Sequence, residues 1–310
     1  MNKKMVHGYI RIFISAVMWG LIPVFTRLLY AAGYKPLEVA SIRAYIGAFL
    51  AGLALVLSGE LRRFRIKDGG FYLFYGLFAI SGAFLFYALS MSMLSTAMAA
   101  VLLYTGPAFV IVLSRLLYRI KITPVKLFSL LLTIAGCALV VRIYDFTSFR
   151  ASLGGILIGL LSGLCYSITT VLAVKGREKY SGKMNSWLIL VFGMLPFLFV
   201  SPPGKVQVPE VEQWILLFGI AVCCSVFPYT IYLSAMGEGL DGGLASIIAT
   251  VEPVAATLFG CLFFRDTLEW LQVCGIVVVI LGVVLPLYGE TASKKQNTKM
   301  DTGPVEVRAG

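Results

Sequence analysis

"LLYTGPAFVIVLSRLLYRIK", residues 102–121, and "IATVEPVAATLFGCLFFRDT", residues 248–267, are two loose copies of one segment. Each sets a proline inside an apolar run and carries an arginine near its end. Pairing residue n with n+146 aligns Pro107 with Pro253, Arg119 with Arg265, Gly136 with Gly282 and Ala99 with Ala245, without a gap. "FYALSMSMLSTA" (86–97) falls on "YLSAMGEGLDGG" (232–243), and a shift of one residue brings "SAVMWG" (15–20) onto "SGLCYS" (162–167). Six of the 33 pairs from Pro107 to Leu139 are identical, so the shared order of features carries the repeat more than the identities do.

The repeat is written in apolar residues. Of 310 residues, 59% are hydrophobic and 13% charged, and the mean hydropathy is +0.90. A soluble domain carries about a quarter charged residues, and this chain lacks the polar residues to cover a soluble surface. Its apolar stretches are long enough to cross roughly 30 Å of hydrocarbon as helices. They predict spans at 9–31, 37–58, 70–91, 95–118, 124–142, 152–174, 184–201, 213–236, 243–264 and 269–288. The N-terminal run is too long for a signal-peptide core and lacks a small-x-small cleavage site, so it reads as the first span.

The fold class expected is an all-α integral membrane protein of ten transmembrane helices, arranged as a 5+5 inverted-topology repeat. Residues 9–142 form the first five-helix repeat and 152–288 the second. A short tail (1–8) precedes them, and a polar tail (289–310) expected to be disordered follows. Five crossings are an odd number, so the second copy enters the membrane upside down. Such repeats build two related gates around a midplane site.

The 26 lysines and arginines sort unevenly. The N-terminus, even-numbered loops and C-terminus hold sixteen; the odd-numbered loops hold five, namely Lys35, Arg142, Arg150, Lys205 and Arg265. By the positive-inside rule both termini lie in the cytoplasm of a multi-pass protein of the plasma or inner membrane. The net charge of +11 is thereby assigned to topology, and no nucleic-acid partner is expected.

Several chemistries lack their residues. The six cysteines all lie in apolar runs without metal-ligand spacing, and the single histidine, His7, sits in the N-terminal tail. No metal and no cofactor is expected. There is no GxxxxGK[ST] loop for ATP, and a membrane-embedded enzyme would need clustered His, Asp or Ser.

"MWGLIPVFTR" in helix 1, the arginine of "PLEVASIRAYIGAFLAG" in helix 2, "LLYTGPAFVIVLSRLLYR" in helix 4, "VEPVAATLFGCLFFRDTL" in helix 9 and "GIVVVILGVVL" in helix 10 together resemble the drug/metabolite transporter superfamily, specifically its EamA-type members. The resemblance covers residues 9–288. It implies a central cavity lined by helices 1–4 and 6–9, with helices 5 and 10 at the periphery. It also implies transport of amino acids, other small metabolites, nucleotide sugars or sugar phosphates. The chain departs from a symmetric pattern at one place: Gly106 stands where the second copy has Glu252.

The residues themselves single out Glu252, the one carboxylate near the centre of a span. A charged, unpaired group there costs about 2.5–3.5 kcal/mol, so it is a candidate for proton coupling or for holding a substrate ammonium. The alternative is a protonated glutamate that props the bend at Pro253. Arg43, about 10 Å from the outer end of helix 2, is a candidate for a substrate carboxylate or phosphate, or for pairing with Glu252. The alternative is an arginine snorkelling to the headgroups. Pro107 and Pro253 are candidate hinges, each expected to kink its helix. Among aromatics near the expected cavity, Trp19, Tyr104 and Tyr232 are the favoured substrate-binding residues, with Tyr45, Tyr87, Tyr166 and Tyr229 behind them.

The function expected is a secondary transporter exporting small organic metabolites such as amino acids by alternating access, with proton linkage through Glu252. The alternative is a flippase for a lipid or lipid-linked substrate. The expected partners are a small-molecule substrate and the lipid bilayer. A second copy of the chain is a further candidate, because helix 10 is apolar all round and could face it.

Overall fold

The computed structural model describes residues 3–145 and 152–301, with side chains to Leu287. Arg150 and the basic residues of the C-terminal tail, used in the loop count, lie outside the described side chains. The last helix is drawn from Trp270 to Asp301, past the expected end of span 10, and the rest of the tail lies outside the described residues.

Among the described residues, nine helices are long and apolar enough to cross a membrane: Lys3–Ala31, Pro36–Leu57, Ile66–Met93, Thr96–Tyr118, Leu153–Lys179, Gly182–Val200, Gln213–Met236, Gly242–Phe264 and Trp270–Leu287. The tenth, Pro124–Val140, has 17 residues and is shorter than expected. At 1.5 Å per residue it still reaches about 26 Å. These ten are called spans 1–10.

The repeat is legible at atomic detail. Span 4 is built from helices Thr96–Leu103 and Gly106–Tyr118, and span 9 from Gly242–Ala249 and Glu252–Phe264. Every one of these limits is displaced by 146 residues. Ser95 caps the first helix by accepting from the Met98 amide, and Asp241 caps its counterpart by accepting from Leu244. Arg119 and Arg265 end the second helices in the left-handed region, at φ 55° and 57°. Their amides bond Arg115 and Cys261 carbonyls, both at 3.1 Å, satisfying groups left over at a helix end. Spans 3 and 8 both widen into a π turn, at residues 77–82 and 222–226.

Pro107 and Pro253 do not kink continuous helices. Each sits at the second position of a new half-helix, after a two-residue turn at Tyr104–Thr105 or Thr250–Val251. A proline is tolerated there because the first amides of a helix have no intrahelical acceptor to lose. Span 1 follows the same rule: it breaks after Trp19, and Pro23 stands at the second position of Ile22–Ala31. Span 6, its repeat partner, has no proline and runs unbroken from Leu153 to Lys179.

Close approach fixes the halves to each other. Spans 5 and 10 cross at Gly136, Gly275 and Gly282; a Cβ on Gly136 would stand 2.8 Å from the Val279 amide nitrogen, and one on Gly275 2.8 Å from the Gly136 carbonyl. Span 10 therefore buries a glycine face against span 5 rather than leaving its whole surface free. Gly155, Gly159 and Gly163 of span 6 admit Leu94 and Leu102 in the same way.

Gly136→Ala should force the two helices apart. A destabilisation of about 1–3 kcal/mol is expected for overpacking at such a site, read as a lower melting temperature in detergent. Gly70→Ala, with nothing within 4 Å of the added carbon, should leave it unchanged or slightly raised. Equal melting temperatures for both variants would contradict the packing described.

Candidate functional site

Three interrupted helices meet at the centre of the bundle. The break in span 1 ends on Trp19, that in span 4 falls at Tyr104, and that in span 9 places Glu252 first in the new half-helix. A cavity opens there, enclosing about 850 Å³ between atoms when its mouth is included. Trp19, Arg43, Tyr104 and Glu252 all line it. Its wall continues past Thr26 and Val39 to Tyr30 and Pro36 at the first loop, so it faces the side of the odd-numbered loops. Toward the other face, Ile12, Ala16, Leu244 and Ile248 are fully packed.

Glu252 owes its position to the asymmetry noted in the sequence. At the equivalent place in span 4, a Cβ on Gly106 would come within 2.9 Å of the Tyr166 ring and 3.3 Å of the Gly163 carbonyl. No side chain fits there. In span 9 the same register points into the cavity. Tyr104 and Glu252 line the same cavity, and the first turn of a helix favours negative charge. Break and helix start thus compensate part of the cost of burying a carboxylate.

Arg43 lines the same cavity and does not snorkel: it is 8% exposed. Its Nε donates to Ser225 Oγ at 2.7 Å and its Nη2 donates to the Cys224 carbonyl, both on the π turn of span 8. The flat face of the guanidinium lies 4.2 Å over the Phe84 ring. A π turn shifts the helical hydrogen-bond register, and Arg43 takes up a carbonyl within it. Arg43 and Glu252 line the same cavity, and the hydrogen bonds of Arg43 go to span 8. They are the two formally charged residues of the lining.

The rest of the wall is aromatic. Trp19 meets Tyr229 edge-on at 5.3 Å and Tyr166 at 6.2 Å between ring centres, and Tyr87 and Tyr30 also face the space. Tyr232 does not. It lies buried behind Trp19, 5.4 Å between ring centres, with its hydroxyl bonded to Thr170 at 2.7 Å. Tyr45 bonds the Ser201 carbonyl away from the cavity. Tyr30, Tyr87, Tyr166 and Tyr229 are therefore the lining tyrosines beyond Tyr104. The repeat contains a signal for one of them, since the alignment of "SAVMWG" with "SGLCYS" sets Trp19 on Tyr166. Phe84 and Ser225 have no sequence signal, because the π turns decide what they face.

A second hollow lies between spans 1, 3, 4, 5, 9 and 10 on the same side and shares Tyr87, Tyr104 and Pro23 with the cavity. Arg27 stands in it, bonded to Asp266 at 2.9 Å and stacked 4.2 Å over Phe264. On the opposite face, ion pairs Arg11–Glu238, Lys179–Asp68 and Lys126–Asp241 each tie the first half to the second.

Comparison with known proteins agrees with this architecture. The sequence profile of the EamA-like transporter family matches twice, over residues 6–142 and 153–288. An uncharacterized transporter of Archaeoglobus fulgidus is 30% identical over 283 residues, covering 91% of this chain and 97% of its own. The threonine/homoserine exporter RhtA of Salmonella typhimurium is 24% identical over 234 residues, covering 73% and 75%. A protein of known crystal structure superposes with a TM-score of 0.76 at 13% identity, over 91% of this chain and 96% of that one.

Arg43→Lys should not substitute for arginine. A point charge cannot bond Ser225 and the Cys224 carbonyl at once while stacking on Phe84. Leaving a buried carbonyl unpaired costs about 1–3 kcal/mol, so the lysine variant should melt at a lower temperature. Ser225→Ala should show a smaller drop, and an unchanged Arg43→Lys protein would contradict the geometry.

Proposed function

The chain belongs to the EamA-like transporter family, and from that premise we propose that it is a secondary transporter exporting small organic metabolites that carry an ammonium group, amino acids among them. The observation that carries this reading is the single cavity carboxylate, Glu252, seated at the break of span 9 within a ring of aromatic side chains. Carboxylate and aromatic faces both attract an organic cation. The name of the Salmonella relative, a threonine/homoserine exporter, supports the amino-acid class.

Glu252 can hold a proton or a substrate ammonium, but not both. Loading from one side requires the carboxylate free, and a proton arriving from the other side displaces the ammonium. That competition couples export to proton entry. We take the excess of Lys and Arg to set both termini and the even-numbered loops in the cytoplasm, which makes this an outward-facing cavity. The three ion pairs of the opposite face then hold the inner side shut. Alternating access follows if those contacts open while the outer ends of spans 1, 2 and 9 close. The prolines at the breaks leave few backbone hydrogen bonds between half-helices, which suits Pro107 and Pro253 to hinge positions.

The test is untargeted profiling of the medium of cells producing wild type or Glu252→Gln at matched membrane levels. Wild type should release one class of amine-bearing metabolite, and the variant should release at least tenfold less. In proteoliposomes, acidifying the odd-loop side should speed release by wild type and leave Glu252→Gln unaffected. Release by the variant at the wild-type rate would refute the role given to Glu252.

A further inference from the structure

An amino acid has two charged ends, and the central cavity offers a free receptor for one of them. Resting on the reading that this cavity is the transport site, we propose that it recognises the ammonium end alone, through Glu252 and the surrounding rings, and makes no specific carboxylate contact. Primary amines that lack a carboxylate then bind as well as the corresponding amino acids, and carboxylates without the ammonium do not bind.

The inference turns on Arg43, the one cation of the lining. An arginine that receives a carboxylate presents a fork of two nitrogens to it. Here the side fork is occupied: Nε bonds Ser225 and Nη2 bonds the Cys224 carbonyl. The flat face is occupied as well, by Phe84 at 4.2 Å. Swinging the guanidinium toward a ligand would strip span 8 of both bonds at its π turn. The two-nitrogen side edge of Arg43 is thus committed to joining span 2 to span 8, which leaves Nη1 as the one nitrogen not bonded there and takes away the edge that would grip a carboxylate with two bonds. The ammonium side shows the opposite arrangement. Glu252 lines the cavity, and a carboxylate can take several donors. Trp19 stands edge-on to both Tyr166 and Tyr229, and aromatic faces bind ammonium groups.

The test uses three ligands of one skeleton: phenethylamine, phenylalanine and 3-phenylpropanoate, titrated calorimetrically into the purified full chain in detergent. Phenethylamine and phenylalanine should bind with dissociation constants within about threefold of each other, and 3-phenylpropanoate should bind at least thirtyfold more weakly. Phenylalanine binding tenfold or more tightly than phenethylamine, or binding of the propanoate, would overturn the inference while leaving an amino-acid transporter intact. No binding by any of the three, together with wild-type cells that release no amine-bearing compound, would remove the transport reading itself. Arg43→Met separates position from recognition. It should weaken amine and amino acid by the same factor, whereas a loss confined to phenylalanine would show that Arg43 reads the carboxylate.

Discussion

A carboxylate in the middle of a hydrocarbon layer is the constraint around which the rest of this structure is arranged. Water is not there to solvate it, so protein must surround it, and a continuous helix would present it to a neighbour with its backbone groups already spent. The chain instead interrupts span 9 one residue before Glu252. The glutamate gains a helix start and a cavity whose wall includes Tyr104. The breaks in spans 1 and 4 bring Trp19 and Tyr104 to the same level, and each break is followed by a proline that costs the new half-helix nothing.

The second organising fact is that symmetry is kept in the scaffold and broken at the site. Helix limits, caps, left-handed ends and π turns recur between the halves. Gly106 and Glu252 do not match, because Tyr166 and the Gly163 carbonyl fill the place where a side chain on residue 106 would go. Spans 3 and 8 satisfy their π turns differently too. The Ala79 carbonyl accepts from Thr169, and the Cys224 carbonyl accepts from Arg43. A duplicated frame thus carries one acid and one buried cation, both in one cavity.

Much of this was legible in the sequence. Long apolar runs located ten helices, within five residues at every limit but the start of the first and the end of the last, and Pro107, Pro253, Arg119 and Arg265 marked a repeat that the structure shows at the level of single hydrogen bonds. Glu252 stood out because an acid in a span needs a reason. What the sequence could not convey was direction. Depth alone left Arg43 between snorkelling and ligand binding, and the π turn of span 8, which no local pattern announces, decided that it turns inward to Ser225. Tyr232 and Tyr229 are three residues apart in one helix, yet only Tyr229 reaches the cavity. Trp19 covers the other, and that is a matter of tertiary packing. The prolines read as kinks because a single proline in an apolar run gives no hint that the helix stops four residues earlier.

The central claim is that one cavity is exposed to the two sides in turn. Its most direct measurement is reciprocal labelling of a chain without native cysteines, carrying a single cysteine at Ala40 in the cavity wall or at Ala245 in the packed inner half of span 9. With an amine substrate supplied on the cytoplasmic side, labelling at 40 from outside should fall as labelling at 245 from inside rises, and Glu252→Gln should abolish the linked change. Two positions that respond independently, or a residue 245 that never labels during transport, would contradict it.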